Sequence, residues 1–389
     1  MMISHERCIA TLQHLIAATL AADRGGSANA VVKDLQASDH LREGPAALDS
    51  LDQLAVARRV TEFFELEQTG AEEWLLRRHQ LSEWSEFICD HLDDGTLTQI
   101  WFRSGGTTGE PKVVAQALTH LLSEVREIRN LVADTRRIIA LVPLHHIYGF
   151  IWGPLLSQAL NVPLIHGEAS VDAAHHDLQP GDLLLGVPEW WQYLGQRRLA
   201  MPAGVTGVTS TAPCPPDVVR EALSKGLEQM IEVYGSSDTG GIAWRRRLED
   251  GFQLFQHWCK QGADHLLSEA GDVHALPDHV EWQSDRTLVP MRRRDEAIQI
   301  GGVNVWPEKV RAFIESHPGV QRCAVRPMTT EHGTRLKAFI VPAQPGSEGL
   351  EAELRRWLKA NLSAAERPIR LTLGDELPRD AMGKLCDWS

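Results

Sequence analysis

Apolar positions in the first quarter of the chain recur every three or four residues. In "CIATLQHLIAATLAA", Ile9, Leu12, Leu15, Ile16 and Leu20 fall on one side of a 3.6-residue spiral, which predicts an amphipathic helix. "VARRVTEFFELEQTGAEEWLLRRHQLSEWSEFICDHL" keeps an apolar stripe and is rich in helix formers, so the chain up to about residue 95 reads as mostly helical. At "LTQIWFR" the texture changes. Short β-branched and apolar runs ("RIIALVPL", "VPLIH", "DLLLGVP", "GVTGVTS", "MIEVYG") alternate with helix-like stretches, the pattern of an α/β domain. Near residue 295 the order becomes strand, helix, two strands, helix ("AIQIGG", "PEKVRAFIESHP", "CAVRPM", "KAFIVPA", "LEAELRRWLKANL"), which predicts a small α+β domain with "VPAQPGSEG" as a loop inside it. The expected class is therefore α/β, with a large domain over 1–294 (1–95 mostly helical) and a smaller one over 295–389. No internal repeat or low-complexity tract interrupts it.

Composition narrows the function. A chain of 389 residues exceeds one ordinary core, and 43% hydrophobic with 23% charged residues is a soluble globular balance. No apolar run approaches the ~20 residues that span a bilayer, and the N-terminal apolar stretch lacks the basic start of a signal sequence. The expectation is a protein without membrane contact. Six scattered cysteines (Cys8, Cys89, Cys214, Cys259, Cys323, Cys386), none in a CxxC pair, predict reduced thiols, a cytoplasmic location and no structural metal. A formal charge of -13 weighs against nucleic acid as partner, because that binding rests on neutralising phosphates with Lys and Arg. The runs Arg245–Arg247 and Arg292–Arg294 read by default as solvated faces, and His175 and His176 as surface residues.

The densest candidate chemistry is "SGGTTGEPK", Ser104 to Lys112, predicted to join the strands "LTQIWFR" and "KVVAQ" with a helix beginning near Thr119. Glycine, serine and threonine let backbone N–H groups and hydroxyls converge on an anion, and a lysine adds charge. The pattern GxxxxGK[ST] is not met, since Glu110 and Pro111 part Gly109 from Lys112. By itself the segment is equally a turn between strands.

Four further segments follow in order: "PLHHIYGF" (143–150), "VYGSSDTGG" (233–241), "RRRDEAIQIGGVNVWPEKV" (292–310) and "LPRDAMGK" (377–384). With "SGGTTGEPK" they resemble, in the same succession, the signature segments of the adenylate-forming superfamily, which includes acyl- and aryl-CoA ligases, peptide-synthetase adenylation domains and luciferases. The resemblance spans about three quarters of the chain. It implies a large adenylation domain and a small mobile C-terminal domain, ATP and Mg²⁺ as cofactors, attack of a carboxylate on the α-phosphate, departure of pyrophosphate, and capture of the acyl group by a thiol. It assigns Ser104, Gly106, Thr107, Thr108, Gly109 and Lys112 to the β- and γ-phosphates, where donors suit the charge growing on pyrophosphate. Tyr234 and Gly235 are implied beside adenine, Thr239 at the α-phosphate, and Asp238, in place of the usual Glu, at Mg²⁺.

Ser210, Thr211 and Ala212, in "TSTAPCP", are similar to a glycine-rich adenine segment, with Ser210 and Thr211 replacing its glycines. Asp285 and Arg293 match the ribose-binding pair, and Asp295 the hinge about which the small domain turns. Lys384 matches the catalytic lysine that meets the carboxylate and the α-phosphate. Gly301 and Gly302 match the loop that lines a pantetheine tunnel after that turn, with Gln299 replacing a frequent Lys. His146 aligns beside the substrate carboxylate, and Phe150 and Trp152 are expected on the acid-pocket wall. A metal at His145 and His146 is disfavoured, because neighbouring residues of a strand face opposite ways and no third ligand is close in sequence. Gly105 stands where the family more often has Ser.

The chain is shorter than typical members, which suits a small aryl or short acyl acid. In that compactness it resembles ligases of aryl-polyene and xanthomonadin-type pigment clusters, which load hydroxybenzoate-like acids onto an acyl carrier protein. The first expectation is accordingly transfer to the phosphopantetheine thiol of a carrier protein. Free coenzyme A is the second. A catalytically impaired nucleotide-binding protein is the third, suggested by the departures at Gly105, Ser210, Thr211 and Asp238.

Overall fold

A computed structural model describes residues 3–24, 35–43, 46–66, 70–104, 112–197, 200–294, 297–330, 333–344, 349–378 and 386–388. The chain divides into two compact units; the larger comprises Met1–Ser104, Val113–Leu276 and Val280–Pro290. It opens with helices α1 (His5–Arg24), α2 (Ser50–Phe63), α3 (Ala71–Leu76) and α4 (Leu81–Asp93). The apolar stripe of α1 is buried as its period predicts, with Cys8, Leu12, Leu15 and Ile16 fully inaccessible. Helix α2 starts at a reciprocal cap: Asp49 accepts from the Asp52 backbone, and Asp52 accepts from the Asp49 backbone.

Strands β1 (Gln99–Ser104) and β2 (Lys112–Ala117) form a two-stranded sheet, and α5 (Leu118–Leu131) follows directly. Then come β3 (Arg137–Ala140), α6 (Ile147–Phe150), a π-helical turn (Ile151–Leu155), α7 (Leu156–Leu160), β4 (Leu164–Ile165), α8 (Gly167–His176), β5 (Asp182–Gly186), α9 (Pro188–Gln196), β6 (Thr206–Thr209), α10 (Pro216–Ser224) and β7 (Gln229–Ser236). Strands β4, β3, β5, β6 and β7 are parallel neighbours. All five residues of β5 are buried, as expected of a central parallel strand covered on both faces. Leu183 and Leu185 point into the core shared with the N-terminal helices, and Leu184 into the core under α9 and α10.

The sheet continues through antiparallel β8 (Gly240–Arg245) and β9 (Phe252–Leu254). Next in sequence is a small sheet of β10 (Trp258–Gln261), β11 (His265–Ser268) and β12 (Val273–Ala275). Strands β13 (Asp278–Trp282) and β14 (Thr287–Arg293) then close the nine-stranded order β13-β14-β9-β8-β7-β6-β5-β3-β4.

The smaller unit carries a hairpin of β15 (Ile298–Ile300) and β16 (Val303–Val305), α11 (Pro307–Glu315), and a sheet of β17 (Val320–Thr330), β18 (Gly333–Pro342) and β19 (Arg370–Leu373) with α12 (Leu350–Asn361). Its order is the one read from the sequence with two short strands added, the three-residue β16 and the four-residue β19.

Arg245 departs from the solvated reading. It makes two 3.0 Å hydrogen bonds to the Glu232 carboxylate and stacks over Phe252, while Arg246 and Arg247 are exposed.

Candidate active site

In an open parallel sheet, ligands collect where the carboxyl ends of the strands emerge. Here β6 emerges into Ser210–Ala212, and β7 into Tyr234, Gly235 and the turn that leads to β8. The Ser210 hydroxyl donates to the Val233 carbonyl at 3.0 Å and fastens the two strand ends together. Thr211 is held at φ +77, a left-handed conformation that glycine adopts freely and a β-branched residue does not. Its Oγ1 is buried without a hydrogen-bond partner. Tyr234 is half-buried and packs edge-on to Phe252 at 6.1 Å. Gly235 has no alternative, because a Cβ there would lie 2.2 Å from the Gly240 carbonyl oxygen.

The β7–β8 turn is braced from within by Thr239. Thr239 is 1% exposed, and its hydroxyl is spent locally: it accepts from the Ser236 amide at 3.2 Å, bonds the Ser236 hydroxyl at 2.9 Å and faces the Gly240 carbonyl at 3.0 Å. Thr239 holds the turn. The turn presents half-buried Ser237 and exposed Asp238.

The expected ribose pair is also separated. Asp285 lies at the tip of the β13–β14 hairpin, 94% exposed, with Lys260 Nζ at 3.4 Å. Arg293 ends β14, six residues beyond Thr287 on one extended strand, a run of about 20 Å. One ribose cannot span that length. The carboxylate at the Arg293 end is Asp278, which is 8% exposed and opens β13. The Arg294 amide donates to the Pro277 carbonyl and Arg294 Nε to the Asp278 carbonyl, each at 3.2 Å. Reading across the hairpin, instead of along the chain, brings Asp278 to the Arg293–Arg294 end as a candidate.

His146 is exposed at the N-cap of α6. It and His145 stand in a turn, not a strand, and their rings meet edge-on at 4.6 Å. His14 of α1 lies 6.5 Å from His145 and 5.3 Å from His166. Burial pushes His14 down to about 3, so it stays neutral. Among the described residues no group of His, Cys, Asp and Glu is arranged to hold a metal ion. Phe150 and Trp152 are 2% and 1% exposed, inside the core, where Phe150 meets Phe63 and Phe102 edge-on. Both belong to the core that the N-terminal helices share with the sheet. The residue of this segment that does reach the strand ends is Tyr148, whose hydroxyl lies 3.2 Å from the Gly186 carbonyl and 3.0 Å from that of Val208.

Ser104 ends β1 and Lys112 opens β2, so the Gly/Thr segment does join two paired strands. Gly106, Thr107, Thr108 and Gly109 lie outside the described residues, as do Asp295 and Lys384. In the smaller unit Gly301 (φ +58) and Gly302 (φ +76) form a two-residue hairpin turn that needs positive φ at both positions. Among the described residues no helix is long and apolar enough to cross a membrane.

A parallel sheet whose strand ends carry Ser210–Ala212, Tyr234 and a carboxylate-bearing turn has the arrangement of an α/β ligand-binding domain. Comparison with known proteins specifies the class. The AMP-binding enzyme family matches residues 26–262, and the AMP-binding enzyme C-terminal domain matches residues 309–384. The chain belongs to the AMP-binding enzyme family, and it is an AMP-forming acid–thiol ligase. It is 35% identical over 390 residues to a 4-coumarate–CoA ligase of Halorhodospira halophila, covering 98% of this chain and 99% of the relative. A 3,4-dihydroxybenzoate–[aryl-carrier protein] ligase of Bacillus anthracis is 25% identical over 302 residues, covering 72% and 71%. Among solved structures, an amide bond synthetase from Marinactinospora thermotolerans superimposes with a TM-score of 0.60 at 19% identity, over 73% of this chain and 67% of that one, which speaks for the fold alone.

Proposed function

We propose that this ligase activates an aryl carboxylic acid of the 4-coumarate type and transfers it to coenzyme A. The observation that carries this reading is similarity to a 4-coumarate–CoA ligase along the whole of both chains. The relative that serves a carrier protein is matched less closely and over less of its length, so coenzyme A displaces the carrier protein as the favoured acceptor.

A carboxylate oxygen of the acid attacks the α-phosphorus of ATP, the bond to the β-phosphate oxygen breaks, and pyrophosphate leaves. The Gly/Thr segment from Ser104 to Lys112 receives the charge that grows on that leaving group. Ser237 and Asp238 face the α-phosphate, with Ser237 taking the role first expected of Thr239. Asp238 suits Mg²⁺: it is an exposed hard oxygen donor on a braced turn, and magnesium keeps several waters and phosphate oxygens when bound by one carboxylate. The ion, when bound, neutralises phosphate charge. Tyr234, Gly235 and Ser210–Ala212 border the adenine, and Asp278 with Arg293 receives the ribose. His146 stands by the acid's carboxylate.

Lys384, in the small domain that turns about Asp295, supplies the cation for adenylation. After that turn the hairpin at Gly301 and Gly302 lines the path of pantetheine, whose thiolate attacks the acyl carbon and expels AMP. Gln299 Oε1 and Asn304 Oδ1, cross-strand neighbours in this hairpin, are buried acceptors without partners, and pantetheine carries two amide N–H donors.

The test is acid-dependent exchange of labelled pyrophosphate into ATP across aromatic and short aliphatic acids, followed by comparison of coenzyme A with holo-carrier protein as acceptor. Hydroxycinnamates should lead the panel and coenzyme A should be preferred. Silence with every acid, or preference for the carrier protein, overturns the reading.

A further inference from the structure

Helix α5 leaves the Gly/Thr hairpin and runs beneath the β7–β8 turn. Three side chains at four-residue intervals meet three backbone groups at two-residue intervals. Gln116 Nε2 donates to the Ser237 carbonyl at 2.6 Å, His120 Nε2 to the Thr239 carbonyl at 2.9 Å, and Glu124 Oε2 accepts from the Gly241 amide at 2.8 Å. The match is geometric. Four residues of helix rise about 6 Å and two residues of strand about 6.6 Å, so His120 and Glu124 stay in step with Thr239 and Gly241.

The local sequence is shaped around the carboxylate. A Cβ on Gly241 would lie 2.4 Å from Glu124 Oε1, and one on Gly240 would lie 2.7 Å from Oε2. Glu124 is 1% exposed. A second tie runs through Glu127 on the same helix, which accepts from the amides of Gln256 and His257 at 2.5 and 2.8 Å and meets His257 Nδ1 at 2.9 Å. Trp258 Nε1 then donates to the Gly241 carbonyl at 2.8 Å. Burying a carboxylate carries a desolvation cost, which the hydrogen bond from the Gly241 amide offsets in part.

We propose that Glu124, with Gln116 and His120, is the positioning residue that locks the Ser237–Asp238 turn to the strand and helix leaving the phosphate-binding segment, so that the groups facing MgATP are fixed relative to each other before it binds. This rests on the proposed role of that turn. Preorganised donors and metal ligands need no rearrangement when charge moves, which is where such a brace contributes to rate.

The experiment uses the full chain with two readouts, MgATP affinity by calorimetry and acid-dependent pyrophosphate exchange. Glu124→Ala should weaken MgATP at least tenfold and slow exchange by about 10–100-fold, with the KM for the acid within twofold. Glu124→Gln keeps an acceptor for the Gly241 amide and should recover affinity to within threefold. The groups facing Glu124 are His257 and the Gly241 amide across from it and His120 and Glu127 on its own helix; an exchange limb near neutral pH that belongs to Glu124 should vanish in Glu124→Gln. If Glu124→Ala does not fold, His120→Ala carries the same expectation for affinity. Unchanged MgATP affinity in the alanine variants, or a Gln variant as impaired as Ala, overturns the inference. Affinity that falls as expected while the unmodified enzyme exchanges with no acid overturns the ligase reading alone.

Discussion

Replacing Thr211 by glycine should stabilise the protein while weakening its hold on ATP. Two costs meet at this residue. A non-glycine residue held in the left-handed region costs about 1–3 kcal/mol, toward the upper end for a β-branched side chain, and Thr211 sits at φ +77. Its buried hydroxyl has no partner, a further penalty of about 1–3 kcal/mol. Against these, glycine adds about 0.4–1 kcal/mol of unfolded-chain entropy, and loss of the methyl group forfeits about 0.8 kcal/mol if it is well packed. The balance favours the variant by about 2–3 kcal/mol at the middle of these ranges. At about 2–4 °C per kcal/mol for domains of 150–250 residues, the melting temperature should rise by several degrees.

Thr211→Ala separates the two causes, since it removes the hydroxyl and keeps the backbone strain. It should recover only the hydroxyl's share of the gain. If the hydroxyl is unpaired because its partner is the nucleotide, both variants should raise the KM for ATP by about tenfold, the worth of one hydrogen bond of about 1.4 kcal/mol. A glycine variant that melts lower than the parent refutes the strain argument. One that melts higher with unchanged KM for ATP keeps the strain and refutes its link to the nucleotide.

Two further outcomes are expected. Burial pushes Glu124 up to about 7, so the folded state binds its proton more tightly than the unfolded state does; stability should fall as pH rises from about 4.5 through 7. Glu124→Gln should flatten that limb, gaining up to about 3 kcal/mol on the parent at pH 8 relative to pH 4.5 in urea titrations, and an unaltered pH dependence would deny the shift. Asp278→Ala should raise the KM for ATP at least tenfold and Asp285→Ala less than twofold; the opposite ranking would restore Asp285 to the ribose.

The sequence pattern was legible wherever one face of an element is buried over several turns or strand pairs. α1, the central strands β5–β7 and the two helices and long strands of the smaller unit follow directly from apolar spacing, because burial fixes their period. The stretch from β9 to β13 was not read as strands. Its elements are three to five residues long, and strands such as β12 alternate exposed and half-buried positions, so no apolar run marks them. The site was legible at the level of segments and less so of side chains. Tyr234, Gly235 and Asp238 lie at the strand ends as their motif implies, but a motif gives the chain position of a hydroxyl or carboxylate and not its direction. Thr239 turns inward because Ser236 and Gly240 offer its hydroxyl closer partners than solvent does.

The separation of Asp285 from Arg293 has the same origin and a sharper consequence. In a hairpin, a residue at the turn and one at the open end of the next strand are a strand's length apart, whereas residues far apart in sequence face each other at the open end. Asp285 is eight positions from Arg293 and sits at the other end of β14, whereas Asp278 is fifteen positions away and lies where Arg294 bonds the Asp278 carbonyl at 3.2 Å. The same rule relates α5 to the turn it braces. Glu124 and Gly241 are 117 positions apart and hydrogen-bonded, and no local pattern around either residue announces the other. What joins them is a coincidence of two rises, 1.5 Å per helical residue and about 3.3 Å per strand residue, that becomes visible only when helix and strand lie side by side. A buried glutamate four residues after a histidine, opposite a Gly-Gly pair, is the trace such a brace leaves in sequence, and it gains meaning once the pairing partner is known.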